Sequence, residues 1–201
     1  MKTWLIFALL IIITATGCSN KETNAPEKSA AKPAEQKVEQ QEAKSTVPLE
    51  TKKVLSDKVE ILLPKKFTIM SDEMAKVKYP SGNRPTLIYT DESGSVNVAL
   101  NHTQNPITNG QIPEAKDQIK KLFTTMYPNA TWYSDTVEQI NNKNVGVLEL
   151  LTPAADGKIY NLMFYTELEG KMLLVTFNCK EQQMEEWKPV AKQIMKSINT
   201  K

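Results

Sequence analysis

The sequence predicts an α+β domain, a three-layer α/β/α sandwich around a mainly antiparallel sheet. Short runs of alternating apolar and polar residues are separated by hairpin-type turns, and two other segments have apolar residues at helical spacing. The last two predicted strands are apolar on both faces. Because a sheet with one face in water would alternate cleanly, we expect the middle of this sheet to be covered on both sides.

The first elements of this domain are extended. Residues 59–64 alternate up to a proline, and residues 67–70 form a second short extended piece. Ser71 can cap a short helical turn that runs through Val77 and is stopped by Tyr79-Pro80, since the residue before a proline avoids the α region. Strand-like residues then flank the turn sequence Asp-Glu-Ser-Gly at 91–94, which predicts an antiparallel hairpin.

The period becomes helical at Ile112 and remains so until the Pro-Asn pair at 128–129. Extended runs follow at residues 131–140, 145–153, 158–167 and 171–178. Their short polar separators predict a meander of antiparallel strands. Residues 181–198 form the closing amphipathic helix, in which Pro189 implies a kink or a true start nearer Trp187.

The N-terminal residues 1–17 have the pattern of a secretory leader. Lys2 precedes an apolar run at residues 4–13. This run would cover about 15 Å as a helix, half of a hydrocarbon core of roughly 30 Å, so we do not expect it to span a membrane. The small residues before Cys18 resemble the lipobox of bacterial lipoproteins. The resemblance implies a new N-terminus at Cys18 that carries lipid such as palmitate, whereas a plain secretory cleavage site is the alternative.

The resemblance also implies a location in the bacterial cell envelope. Ser19 follows the cysteine, where an aspartate would be associated with inner-membrane retention. We therefore expect the periplasmic face of the outer membrane in a two-membrane cell, and otherwise the outer face of the cell membrane.

Residues 18–52 are expected to be the lipidated cysteine and a disordered tether, because residues 19–52 are almost all polar and contain three prolines. Residues 53–201 are enough for one globular domain. The formal net charge of +2 lacks the basic excess of a nucleic-acid binder. Cys179 has no partner for an intramolecular disulfide once Cys18 carries lipid, and it is predicted to be a partly buried thiol.

Four segments of the domain resemble the PsbP-type sandwich, in particular its bacterial lipoprotein members related to DcrB and LpqN. These segments are residues 59–64, 79–89, 96–100 and 194–198. The resemblance covers residues 54–198 and rests on structural motifs without a shared catalytic set. It implies a PsbP-like fold and a binding or accessory role, since known members are mostly binding or assembly modules.

The motifs of common enzymes are missing from the sequence. It has one histidine, His102, and no Cys-x-x-Cys, glycine-rich phosphate loop or Gly-x-Ser-x-Gly elbow. Common hydrolase and metalloenzyme plans are therefore excluded, and we expect a protein that is not an enzyme and has no cofactor or metal. His102 is predicted to lie just past a strand, at the mouth of a polar loop that runs from Asn101 to Gln111.

Two functions remain open. The first is a membrane-tethered, non-enzymatic module that binds an envelope protein or assists assembly. Its candidate contact residues are Tyr79, Arg84 and Trp132, because aromatic and Arg side chains are enriched at binding hot spots. Trp132 is expected to be exposed, since it lies at the start of a strand after a helix stop. The second is a lipoprotein that binds a small ligand or a metal in a pocket near His102 and the 101–111 loop.

Overall fold

The computed structural model describes residues 46–79 and 84–201. The predicted leader, Cys18 and the tether up to residue 45 lie outside the described residues. Within those residues, no helix is long and apolar enough to cross a membrane.

The described chain forms ten strands and three helices. The strands are β1 Leu49–Val54, β2 Val59–Pro64, β3 Thr68–Ile69, β4 Leu87–Thr90, β5 Asn97–Pro106, β6 Thr131–Ile140, β7 Lys143–Ala154, β8 Gly157–Leu168, β9 Lys171–Lys180 and β10 Asn199–Thr200. The helices are α1 Asp72–Lys78, α2 Ile112–Met126 and α3 Met184–Lys196, and a short 3₁₀ turn leads into each of the last two.

Seven strands form the central sheet in the order β3-β4-β5-β9-β8-β7-β6, and every described pairing is antiparallel. The predicted meander is confirmed as β6 to β9. A second, three-stranded sheet has the order β1-β2-β10. The sequence did not predict this small sheet, because β10 has two residues and β1 has only one fully buried side chain.

Alternate residues of the central strands point to opposite faces of the sheet. The first face, called here the α3 face, carries the main core. Val98, Phe177 and Leu162 form one cross-strand row of that core. Side chains of α3 and of the small sheet cover it, including Val190 and Ile61.

The opposite face, called here the α2 face, carries three smaller apolar clusters. One lies under α1 and includes Ile88 and Ala99. The other two lie under α2 and are centred on Tyr165 and on Leu148. The central sheet is therefore covered on both sides, and the predicted α+β sandwich of three layers is confirmed.

The predicted boundary at Lys53 lies inside β1, which begins at Leu49. Leu49 and Glu50 already pair with Pro64 and Leu63 of β2. A strand at the edge of a sheet is held by its backbone hydrogen bonds and needs only one partly apolar face. Because residues 49–53 are mostly polar, the sequence pattern did not indicate β1. The described domain therefore includes the last residues that were assigned to the tether.

Candidate functional site

A groove of about 680 Å³ opens where β2, the β4–β5 turn and α3 meet. It is called here the Trp187 groove. Its walls are formed by Thr46, Val47, Pro48, Pro64, Lys66, Phe67, Asp91, Glu92, Ser93, Glu186 and Trp187. Its volume falls in the range of about 300–1,000 Å³ that is typical of ligand pockets.

Aromatic rings form the floor of the groove. The chain turns after Pro64, where the backbone N–H of Phe67 donates to the Pro64 carbonyl at 2.9 Å, and the Phe67 side chain is buried. The centroid of the Phe67 ring lies 5.6 Å from that of Trp187, and the Trp187 ring lies 6.0 Å from Phe177 in the main core. The half-buried Trp187 therefore joins the groove to the core of the α3 face.

The β4–β5 turn forms one wall of the groove and is held by Asp91. The Asp91 carboxylate accepts hydrogen bonds from the Val96 N–H at 2.9 Å and from the Ser93 hydroxyl at 2.6 Å. Partial burial raises the pKa of Asp91, but these hydrogen bonds outweigh burial, and the net pKa is lowered. Asp91 is therefore ionised at neutral pH.

The rim of the groove is acidic. Among the described residues, Asp91, Glu92 and Glu186 contribute three carboxylates to the lining, against one ammonium from Lys66. Glu186 lies in the first turn of α3, where the helix dipole favours a negative charge. The Glu92 and Glu186 side chains are exposed, and neither forms an ion pair within residues 46–79 and 84–201.

The structure places His102 inside β5, so the prediction of a loop position was wrong. His102 pairs with Leu173 of β9, and its Nε2 lies 3.1 Å from the Leu168 carbonyl oxygen. Strand pairing uses the backbone, so the polar side chains of residues 101–106 did not prevent it. Within the described residues, no group of three or more His, Cys, Asp or Glu side chains could hold a metal.

A smaller groove of about 360 Å³ lies between the end of β5 and α2, and it is called here the α2 groove. It is lined by Asn105, Pro106, Ile107, Gln111, Glu114, Ala115, Gln118, Ile119 and Met172. Residues of the predicted 101–111 loop therefore do form a groove wall. His102 is not among the lining residues.

Trp132 is half-buried and packs with Phe123 of α2 beside Leu150. The Lys120 ammonium lies 5.8 Å from the centroid of its ring. The pairing of β6 with β7 shifts after Trp132, and this bulge leaves Tyr133 as the exposed aromatic residue. The expectation of an exposed Trp132 side chain is therefore corrected.

Tyr79 and Arg84 flank the segment 80–83, which lies outside the described residues. The half-buried Tyr79 packs against the cluster under α1, and burial raises the pKa of its hydroxyl. Arg84 is exposed. Neither residue lines the Trp187 groove, and neither does Trp132.

Sequence reasoning did not assign Phe67 and Trp187 to a site. The sequence patterns predicted Trp187 in the closing helix, near a possible start, and Phe67 in a short extended piece. The available signal was Phe67, an aromatic residue in the turn that follows the proline-terminated strand, together with Trp187, a second aromatic residue near a helix start. Cys179 is fully buried, and burial raises the pKa of its thiol to about 12, so it is a core residue.

No protein family and no curated protein matches the chain by sequence. Solved structures do match its fold. PsbP (CyanoP) from Synechocystis is 14% identical with a TM-score of 0.55, and the match covers 76% of this chain and 92% of that chain. The Ran-binding protein Mog1p from Saccharomyces cerevisiae is 7% identical with a TM-score of 0.50, over 77% and 96% of the two chains.

A third solved structure is LpqN from Mycobacterium tuberculosis, which is described as involved in cell envelope biogenesis. It is 9% identical with a TM-score of 0.48, over 71% of this chain and 83% of that chain. At these identities the similarity concerns the fold. The chain has a PsbP-like fold, as the resemblance in its sequence implied.

Proposed function

We propose that this chain is an envelope lipoprotein, anchored through lipid at Cys18, whose PsbP-like domain is a non-enzymatic module that binds a protein partner. The Trp187 groove is its binding site. The observation that supports this proposal is the combination of an aromatic floor, formed by Phe67 and Trp187, with an acidic rim in one open groove. Buried aromatic anchors within a polar rim are the usual anatomy of a protein interface.

The groove is built on well-packed elements. Trp187 contacts Phe177 of the main core, and the Lys65 N–H donates to the Pro48 carbonyl across the groove wall at 3.0 Å. A site of this kind loses little conformational entropy when a partner binds. Mog1p, which shares the fold, is named as a Ran-binding protein, and this agrees with a binding role for such a domain.

The anchor is tested by Cys18→Ser in the full-length chain. Several acyl chains hold a protein firmly on a membrane, whereas one gives only marginal binding. We expect the variant to leave the membrane fraction or to accumulate as an uncleaved precursor. Unchanged fractionation together with an unchanged mass would refute the lipid anchor.

The binding role is tested by chemical crosslinking in intact cells and purification of the full-length chain. Trp187→Ala should remove the crosslinked partner, because it deletes one of the two rings of the aromatic floor. The control is Leu122→Ala, which truncates an exposed apolar residue of α2 and should retain the partner. Equal loss in both variants, or no loss in either, would contradict the assignment of the groove.

A second candidate function is the binding of a small polar ligand in the α2 groove. Its volume of about 360 Å³ is at the lower end of the range for ligand pockets, and its wall includes the amides of Gln111 and Gln118. Screening of the full-length chain against small polar molecules by ligand-detected NMR tests this candidate. A ligand whose signal changes disappear in Gln118→Ala would support it, and binding that is unaffected would oppose it.

A further inference from the structure

We infer that the Trp187 groove receives a positively charged, extended segment of the partner protein, with an apolar or aromatic side chain against Phe67 and Trp187. Lys or Arg side chains of the same segment face Glu92 and Glu186. This inference rests on the proposed function, since it names the chemistry of the partner that the same groove binds.

The charge of the rim supports a cationic occupant. Among the described residues, three carboxylates line the groove against the ammonium of Lys66, so this lining favours cations over anions. The Lys78 ammonium interacts with the charge of Asp91 from outside the lining. The Asp91 carboxylate already accepts hydrogen bonds within its own turn. Glu92 and Glu186 are exposed and have no ion-pair partner among the described residues, so they are the rim groups that can pair with an incoming Lys or Arg.

The floor of the groove supports an apolar anchor beside these charges. Val47, Pro48 and Pro64 join the two aromatic residues in its lining. A segment with charge alone would leave this apolar surface in water, and a purely apolar segment would leave the rim carboxylates without partners. The lining therefore fits a segment that carries both kinds of side chain.

The chain's own preceding residues do not have this chemistry. Residues 33–45 lead directly to Thr46 at the groove wall, and they contain three glutamates, two lysines and no aromatic residue. Their net charge is therefore not positive, and Val38 is their one branched apolar residue. Charge complementarity favours a segment from another protein.

The test is selection of peptides from a random phage-displayed library on the full-length chain. We expect the selected sequences to combine Lys or Arg with Trp, Phe or Leu and to contain few acidic residues. Resynthesised peptides should bind about three- to tenfold more weakly to the double variant Glu92→Gln/Glu186→Gln, and raised salt should weaken wild-type binding in the same way. Both substitutions are exposed and nearly isosteric, so folding is preserved. Glu73→Gln is the matched control, because Glu73 is exposed in the first turn of α1 and lines neither groove, and it should leave affinity unchanged.

Peptide binding to Trp187→Ala distinguishes failure of the cationic-partner inference from failure of the proposed site. Peptides that lose binding in Trp187→Ala but show no cationic preference and no response to the double variant would overturn the cationic partner and leave the groove as the binding site. Peptides that bind Trp187→Ala as well as wild type would overturn both the inference and the proposed site. A library that yields no binding peptide would overturn the inference of an extended segment, while crosslinking to a folded partner would still support the proposed function.

Discussion

On each face of the central sheet, one strand carboxylate forms ion pairs with two lysines of the helix that packs there. Glu149 of β7 pairs with Lys188 at 2.7 Å and Lys192 at 3.6 Å, which lie one turn apart on α3. Asp135 of β6 pairs in the same way with Lys116 and Lys120 of α2. One lysine of each pair also lies over an aromatic ring, Lys188 over Tyr133 and Lys120 over Trp132.

The two sites differ in burial. The Glu149 side chain is 4% exposed and also accepts a hydrogen bond from the Tyr160 hydroxyl at 3.1 Å, whereas the Asp135 side chain is 29% exposed. Burial and the Glu149 carboxylate raise the pKa of Tyr160 well above its usual range, so its hydroxyl keeps the proton that it donates. An ion pair near water contributes little, but a buried carboxylate is costly once its partners are lost. We therefore expect the loss of Glu149, on the α3 face, to destabilise the fold more than the loss of Asp135, on the α2 face.

The largest expected effect is that of Glu149→Ala. It removes the acceptor of the buried Tyr160 hydroxyl and of two lysines, and we expect the free energy of unfolding to fall by about 2–4 kcal/mol. This expected loss is smaller than the loss of about 3–5 kcal/mol for breaking a fully buried ion pair, because both lysines can reach water. Urea unfolding of the full-length chain measures it, and a loss no larger than that of Asp135→Ala would contradict the comparison.

Gly146→Ala tests the packing of the α2 face. A Cβ at this position would overlap with the Tyr165 ring, which is fully buried below α2. We expect a loss of about 1–3 kcal/mol, the usual cost of overpacking. Thermal unfolding measures the loss. A variant as stable as wild type would show that Tyr165 can move aside and that this face is loosely packed.

Asp135→Ala should cost at most about 1 kcal/mol, because its ion pairs are near water. The hydrogen bond from Lys120 lowers the pKa of Asp135 against the opposing effect of burial. Its contribution is therefore fully present above the unfolded-state pKa of about 3.9 and is lost as the pH falls through the lower folded pKa. Unfolding curves of wild type and variant at neutral and acidic pH should converge in acid. A constant difference would exclude the ion pairs as its source.

The smallest effect is expected for Tyr165→Phe. The Tyr165 hydroxyl is buried and has no hydrogen-bond partner among the described residues, so its removal should leave stability unchanged or slightly higher. Thermal unfolding with Tyr160→Phe as the matched control tests this. Tyr160 donates to Glu149, so its variant should be the less stable of the two. The reverse order would contradict the assigned hydrogen bonds.

The local patterns of the sequence predicted the elements that depend on them. The meander β6 to β9, α2 and α3 follow from periodicity and turn residues, and the cover on both faces follows from the doubly apolar strands β8 and β9. The polar strand β1 and the end of β5 were missed, because pairing through the backbone leaves no apolar pattern.

The candidate site could not be predicted in the same way. Phe67 and Trp187 meet only after β2 and α3 pack on the same face of the sheet, and the acidic rim comes from a turn and a helix start. The periodicity and turn residues of a sequence do not predict which distant side chains meet in the folded domain. Trp132 was predicted to be in a site, but the structure packs its side chain under α2. The bulge next to it depends on how β6 pairs with β7, and amino-acid composition does not indicate that pairing.

The proposed site requires that the partner binds at the Trp187 groove and not on the α2 face. Site-specific photo-crosslinking in cells tests it most directly. The photoreactive residue is placed at position 92 of the full-length chain and, as the matched control, at position 114 of the α2 groove. We predict a specific protein adduct from position 92 that disappears in Trp187→Ala, and none from position 114. An adduct from position 114 alone, or one from position 92 that persists in Trp187→Ala, would contradict binding at the Trp187 groove.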